Sequence, residues 1–494
     1  METLAHLAQG FTLLVTPKYL MFCLIGVLIG QVIGVLPGIG PSAAIAVLLP
    51  LTFGGDAIAS TIMFAGIYYG AQYGGTLTSV LVRIPGESSS VMTSLDGYEM
   101  ARQGRAGKAL GIAAVGSFIA GTLGTVGLML AAPALAKVAL LFGPAEYFAL
   151  VIMGLGALAL VGGSLLKGLI MGALGLALAT IGTDPQVGNP RFTFGQLFLL
   201  DGIEFLVLAV AFFGIGEVLA QAEQGMAAGE FARPRDSVYP NWADWLQTRW
   251  SILRGTVIGY FIGVLPGAGA TIASFVAYAV EKKVSKTPER FGKGAIEAVA
   301  APESANNAAA TGAMVPMFAL GIPGSNTTAI MLGALIMFGL RPGPALFEQN
   351  AAFVWTVIAS MYVGNLLLLL LNLPLVGLFA VLLRVPYAIL YPVILALCIA
   401  GVYSQSNSMS DLWLAAGFGI FGYFMRKYDF SAAPLVLGLV LEPMFENAMR
   451  QMMTLSHGSL APVVTRPVAG TITLLTLAIV LWPIAQRIYL RSKR

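Results

Sequence analysis

The chain has 494 residues, 57% of them hydrophobic and only 10% charged, with a mean hydropathy of +0.84. So little polar surface cannot coat a soluble globule of this length, and the many apolar runs of about 17–25 residues have the length of membrane-spanning helices. The sequence is therefore an all-α polytopic membrane protein, and its net charge of +4 argues against a nucleic-acid partner.

Residues 1–17 form a short amphipathic lead-in ended by Pro17, without the basic start and small-residue cleavage site of a signal peptide. From Lys18 to Phe53 the chain is apolar but interrupted at Pro37-Gly38-Ile39-Gly40-Pro41, and the piece after the break is too short to span alone. Ile58 to Gly97 is a single crossing interrupted at Ile84-Pro85-Gly86, ending in a basic loop with Arg102, Arg105 and Lys108. Spans follow near residues 109–133, 144–163, 167–182 and 198–220, then a polar stretch over 221–250.

The second part repeats the first. Ile262 to Gly269 reads IGVLPGAG against IGVLPGIG at Ile33 to Gly40, identical at seven of eight positions, and Ile322-Pro323-Gly324 matches Ile84-Pro85-Gly86. The segment from Trp250 to Val280 has Arg249 and Arg254 before it and Lys282, Lys283, Lys286, Arg290 and Lys293 after it. The positive-inside rule puts both of its ends in the cytoplasm, so it must enter and return as a re-entrant hairpin with LPGAG at the tip. The first copy, flanked by Lys18 and Asp56, has both ends outside. Matching units of opposite sidedness imply inverted-topology repeats.

Gly294 to Leu340 is the second broken crossing, and spans near 351–382, 386–403, 412–425, 431–447 and 470–486 complete the chain, which ends in a basic tail. The organisation expected is a first membrane repeat over 1–220, a polar cytoplasmic linker over 221–250, a second repeat over 251–450 and a C-terminal transmembrane segment with its tail over 451–494.

A Pro-Gly break leaves backbone donors and acceptors without intrahelical partners, which lipid tolerates only where they are buried in protein or line a polar cavity. The half-helix after each break points its N–H groups and positive dipole end into that cavity, which suits an anion. The expected binding residues are Pro37, Gly38, Gly40 and Ser42 at the first break and Pro85, Gly86, Ser88 and Ser89 at the second. Pro266, Gly267, Gly269 and Thr271 follow at the third, and Pro323, Gly324, Ser325, Asn326 and Thr327 at the fourth. Each hydroxyl alone reads as a helix cap, while the repeated set reads as a site for a small carboxylate and a coupling ion.

Arg83 reads either as a partner for a substrate carboxylate or as half of an ion pair with Glu87 or Glu303. Glu303, Asn306 and Asn307 form a polar patch suited to a coupling Na⁺ or H⁺, or to tying two helices together. Asp96 and Glu297 are expected in solvent at the cytoplasmic edge, and Glu204 and Glu217 in helix packing or subunit contact. The only cysteines, Cys23 and Cys398, offer no disulfide framework or metal cluster. With two histidines and no H-E-x-x-H, P-loop or G-x-S-x-G, neither an enzyme nor ATP use is indicated, and no cofactor is expected.

The paired GVLPG motifs, GGTLTSVLVRIPGESSSV and APESANNAAATGAMVPMFALGIPGS resemble the large membrane subunit of the tripartite tricarboxylate transporter family over essentially the whole chain. That resemblance implies a permease of the bacterial inner membrane, a secondary transporter working with a small membrane subunit and a periplasmic substrate-binding protein. It implies import of citrate or other small carboxylates with a Na⁺ or H⁺ gradient. By analogy with other binding-protein-dependent carriers, the core is expected to move as an elevator. The alternative from another class is a channel or passive pore for small anions that uses the hairpins as a filter.

Overall fold

A computed structural model describes residues 2–36, 40–161, 164–184, 186–224, 236–267, 269–381 and 387–492. The first part runs through α1 (Glu2–Leu14), α2 (Pro17–Val35), α3 (Gly40–Leu48), α4 (Ala57–Val82), α5 (Val91–Arg102), α6 (Ala106–Ala139), α7 (Pro144–Val161) and α8 (Leu165–Ala179). A ribbon of two short antiparallel strands follows, β1 (Gly182–Thr183) and β2 (Pro190–Arg191). Then come α9 (Phe205–Ala209), a π-helical turn over Val210–Ile215 and α10 (Gly216–Gln224).

The second part holds α11 (Trp242–Val264), α12 (Gly269–Val284), α13 (Glu297–Gly312), α14 (Met314–Leu320), α15 (Asn326–Met337) and α16 (Pro344–Gln349). It continues with α17 (Ala351–Val381), α18 (Tyr387–Ser406), α19 (Met409–Lys427), α20 (Ala433–Leu455), α21 (Pro462–Thr465) and α22 (Pro467–Ser492). Four helical stretches among the described residues are long and apolar enough to cross a bilayer by themselves: Pro17–Val35, Ala106–Ala139, Phe205–Glu223 and Ala351–Phe379.

The duplication seen in sequence is also a duplication of contacts. Helix α2 presents Gly26, Gly30 and Gly34 to the backbone of α4, where a Cβ on each would lie 2.4, 2.6 and 2.3 Å from the carbonyl oxygens of Met63, Ile67 and Ala71. Helix α11 presents Gly255, Gly259 and Gly263 to α13 in the same way, with 2.3, 2.2 and 2.4 Å to the oxygens of Ala301, Ala305 and Ala309. In lipid, where burial of apolar surface does not drive helices together, such backbone-to-backbone approach supplies the packing energy. Beyond these stripes, Gly86 sits on the Gly34 carbonyl and the Gly75 Cα, and Gly324 sits on the Gly263 carbonyl and the Ala313 Cα. The helix after each GVLPG break starts with a glycine in the left-handed region, Gly40 at φ 65° and Gly269 at φ 61°.

The described helices on either side of each GVLPG break lie beside one another. Lys18, at the start of α2, pairs with Asp56 at 2.6 Å, beyond the end of α3, and Tyr19 donates to the same carboxylate at 3.2 Å. Asp56 in turn caps α4 by accepting from the N–H groups of Ile58 and Ala59. In the second half, Arg254 Nε and Nη2 donate to Glu281 at 2.9 and 2.7 Å and Ser251 Oγ at 2.7 Å, so the middle of α11 lies beside the end of α12.

Three expectations are corrected. The stretch over 221–250 is not all linker: residues 225–235 lie outside the described residues, and α11 already begins at Trp242 because Asn241 and Asp244 form a capping box. The span expected at 198–220 starts as helix only at Phe205, since Gly182, Gly188, Gly195 and Gly202 all adopt positive φ and keep the preceding segment in turns. Asp96 is not solvated. It is fully buried and accepts from the N–H groups of Gly292, Gly294 and Ala295 at 2.9 Å and from the Tyr278 hydroxyl at 3.0 Å, tying α5 to the loop that opens α13.

Candidate functional site

Four helix beginnings converge on one cavity of about 500 Å³. Gly40, Pro41 and Ser42 come from α3, Gly269, Ala270 and Thr271 from α12, and Ser325, Asn326 and Thr327 from α15 and its cap. Ser88 and Ser89 open the short 3₁₀ turn that runs into α5. The first N–H groups of a helix have no partner inside it, and the macrodipole adds a partial positive charge there. Four such ends around one volume make a strong setting for an anion.

Side chains lock these ends in place. Ser325 and Thr328 form a capping box, with Ser325 N–H donating to Thr328 Oγ1 at 2.8 Å and Thr328 N–H to Ser325 Oγ at 3.2 Å. Glu87 and Ser90 form the equivalent box in the first half. The Tyr68 hydroxyl bonds Ser325 Oγ at 3.0 Å, and Ser88 Oγ bonds Thr271 Oγ1 at 2.7 Å, so the two halves are joined across the cavity. The far wall comes from Phe212, Phe213 and Glu217, from Arg426 and from Phe430 to Ala432. Phe212 and Phe213 sit on the π-helical turn, a departure from α-geometry that recurs at functional sites. Arg426 is the sole Lys or Arg in the described lining, and it is ion-paired with Glu217.

Away from the cavity lies a sealed polar cluster. Glu303 is fully buried, and its carboxylate accepts from the hydroxyls of Thr76, at 2.6 Å, and Thr93, and from Asn306 Nδ2 at 3.3 Å. Asn307 Nδ2 donates to Asn306 Oδ1 at 2.8 Å.

Of the residues expected at the site, Gly40, Ser42, Pro85, Gly86, Ser88, Ser89, Gly267, Gly269, Thr271, Ser325, Asn326 and Thr327 line this one volume. Pro37 and Gly38 lie outside the described residues. Pro266, Pro323 and Gly324 are not among the lining residues, and neither are Glu303, Asn306 and Asn307. Arg83 is elsewhere. It ends α4 in the left-handed conformation, φ 58°, which turns its side chain out to an exposed position with the guanidinium 5.6 Å from the Tyr98 ring centre. The ion pair expected with Glu87 or Glu303 is not formed among the described residues.

The sequence reading missed Arg426, Phe212, Phe213, Tyr68 and Gln72, and gave Glu87 and Glu217 other roles. Gln72, a lone amide within the glycine-rich apolar stretch Gly70-Ala71-Gln72-Tyr73-Gly74-Gly75, carried a usable signal. Arg426 carried none, because next to Lys427 at the end of an apolar run it looks like a topology signal.

Comparison with known proteins agrees with the motifs. A family model for the tripartite tricarboxylate transporter TctA family matches residues 20–437. A protein of Agrobacterium vitis described as an uncharacterized 52.8 kDa protein in the TAR-I ttuC' 3' region is 45% identical over 495 residues, covering 100% of this chain and 98% of the relative. A second from the same organism, described as an uncharacterized protein in the TAR-II ttuC' 3' region, is 44% identical over 236 residues, 48% of this chain and 97% of the relative. No solved structure matches. The chain is a multi-pass membrane protein that belongs to the tripartite tricarboxylate transporter TctA family.

Proposed function

We propose that this chain is the permease subunit of a binding-protein-dependent secondary transporter of the bacterial inner membrane, importing small carboxylates such as citrate with a Na⁺ or H⁺ gradient. The observation that carries the reading is the convergence of four helix N-termini on a cavity of about 500 Å³, large enough for a small organic acid. The family's tripartite organisation supplies the partners, a small membrane subunit and a periplasmic substrate-binding protein.

The two folded-back pairs α2–α3 and α11–α12 act as re-entrant hairpins of inverted repeats, and together with the broken crossings they form the moving core of an elevator. Arg426 and Lys427 at the end of α19 mark the cytoplasmic side by the positive-inside rule, and Arg426 lies half-exposed on the cavity wall, so this arrangement is open to the cytoplasm. Glu303, Asn306 and Asn307 are the buried oxygen-bearing groups closest in kind to a coupling-cation site.

Uptake of labelled citrate and succinate into proteoliposomes carrying the complete complex tests the proposal. Accumulation should need the binding protein and a cation gradient. Uptake that tracks ATP after every ion gradient is collapsed overturns it, as does single-channel conductance, the mark of a passive anion pore.

A further inference from the structure

Among the residues that open the two broken crossings, the two halves differ in charge at one position. The residue that caps the second broken crossing is Ser325, a neutral hydroxyl; its equivalent in the first half is Glu87, and both use the same capping box. Besides Glu217, which is paired with Arg426, a second carboxylate therefore lines the cavity, among helix ends that present N–H groups and hydroxyls. An ionised carboxylate here would face a bound carboxylate at close range, with little water between them to screen the repulsion.

Among the described lining residues no unpaired Lys or Arg is placed to absorb that repulsion. The side chain of Glu87 packs over Gly75 of α4, which also contributes Tyr68 and Gln72. The charged group acting on it from α13 is Glu303, of like sign. Ser88 beside it meets Thr271 of α12, and α15 contributes the neutral Ser325 and Asn326. Across the cavity stand Glu217 of α10 and Arg426 of α19, already paired with each other.

The hydrogen bonds around Ser89 can take a proton on Glu87. Ser89 Oγ lies 2.6 Å from Gln72 Oε1 and also touches Glu87 Oε1, yet a serine hydroxyl has a single hydrogen. With Glu87 ionised, Ser89 O–H donates to the carboxylate and the Gln72 amide, turned to present Nε2, donates to Ser89 Oγ. With Glu87 protonated, its O–H donates to Ser89 Oγ and the serine O–H donates to Gln72 Oε1, so the network serves both states.

We propose that Glu87 carries the coupling proton, taking it up when the carboxylate substrate enters the cavity and releasing it when the substrate leaves. One O–H bond forms on the Glu87 carboxylate as the anion binds and breaks as the anion departs, so one proton moves in the same direction as each substrate. Because binding and protonation favour each other, each raises the affinity for the other by the same factor. This rests on the carboxylate-carrier reading above and assigns the driving ion within it. Glu303 becomes a buried neighbour that biases Glu87 without exchanging with the cavity.

The test uses the purified full-length chain with citrate and succinate as probes. Affinity should fall roughly tenfold per pH unit on the alkaline side in the wild type, and binding in weakly buffered solution should take up a proton. Glu87→Gln, which mimics the protonated acid, should bind with the pH dependence of Glu87 protonation removed and without proton uptake. In proteoliposomes of the complete complex it should exchange substrate across the membrane but fail to accumulate it against a pH gradient. Glu87→Ser, which installs the residue the second half uses, should behave alike and guards against a folding defect peculiar to glutamine.

Accumulation by Glu87→Gln at the wild-type level overturns the proposal. So does uncoupling by Glu303→Gln in its place, or uptake driven by Na⁺ with no proton movement. If neither probe binds the wild type and the complex transports neither, the carrier reading itself fails; that result is distinct from binding without proton linkage, which overturns the Glu87 assignment alone.

Discussion

Gly259→Ala places a methyl group between α11 and α13 at the middle of the second glycine stripe. The new Cβ would lie 2.2 Å from the Ala305 carbonyl oxygen, 2.6 Å from its Cα and 2.7 Å from its carbonyl carbon. All three are backbone atoms and cannot rotate away, so the helices must separate by about 1 Å to restore ordinary contact distances, enough to forfeit roughly a quarter to a half of each neighbouring dispersion contact. The approaches at Gly255 and Gly263 on the same face open with it. Overpacking of this kind costs about 1–3 kcal/mol, against which the better helix propensity of alanine returns about 1 kcal/mol. Gly377→Ala in α17 is the matched control, because a Cβ there meets nothing within 4 Å and only the propensity gain of about 1 kcal/mol remains. Unfolding of the purified protein in detergent, by heating or by SDS titration, should therefore rank Gly377→Ala above wild type and Gly259→Ala below it. Equal stability of the two variants would refute the claim that backbone contact holds each repeat together.

Opposite effects are expected from the ion pair on the cavity wall: Glu217→Gln frees Arg426 and should tighten citrate binding, whereas Arg426→Gln should weaken it roughly tenfold or more, both read by titration calorimetry. Asp96→Ala strands the N–H groups of Gly292, Gly294 and Ala295, so detergent unfolding should show a loss of at least about 3 kcal/mol. On the β1–β2 ribbon, hydrogen bonding from Arg450, aided by the N–H of Gln186, holds the Asp184 carboxyl down at about 2. Since its pKa is depressed in the folded protein, that contribution is complete above the unfolded value of about 3.9 and is lost as pH falls through about 2. Limited proteolysis near residues 182–204 should accordingly stay constant through neutral and mildly acidic pH in the wild type, and should rise at neutral pH in Asp184→Asn.

What could be read from the sequence were the places where physics leaves few options. A Pro-Gly pair inside an apolar run has to break a helix, and four of them in two matched pairs pointed to twelve of the residues that line the cavity. The helix at 351–381 and the helix interruptions at Pro85-Gly86 and Pro323-Gly324 followed from hydropathy and the same punctuation. Partners distant in sequence could not be read. Nothing local to Arg426 says that α19 sets it against Glu217, and nothing local to Asp96 says that the loop before α13 will bring it three N–H groups. Arg83 lies away from the cavity for a backbone reason, since sequence gives its depth but not the left-handed turn that points it outward. The apolar residues around 198–204 resembled the start of a span because hydropathy averages over the glycine turns that keep them out of helix.

The duplication carries one further consequence, because an arrangement built from two equivalent halves need not be symmetric at any instant. Ser88 of the first half bonds Thr271 of the second at 2.7 Å. The equivalent pair in the repeat is Asn326 with Ser42; both line the cavity, no hydrogen bond joins them, and Asn326 Oδ1 is buried without a partner. An unsatisfied buried acceptor is costly, and a second conformation in which the halves exchange roles would satisfy it. In that state the Ser42–Asn326 bond would form and the Ser88–Thr271 bond would open, closing the cavity on its present side and opening it on the other. The exchange can be trapped by cross-linking. The native Cys23 and Cys398 are both buried, so paired cysteines at 88 and 271 or at 42 and 326 stand out against a quiet background. The Ser88→Cys/Thr271→Cys pair should cross-link readily in the resting protein. The Ser42→Cys/Asn326→Cys pair should do so slowly at rest and several-fold faster during turnover with substrate and gradient present, and each cross-link should stop transport until it is reduced. Equal rates for both pairs, unchanged by substrate, would mean that the halves do not trade places.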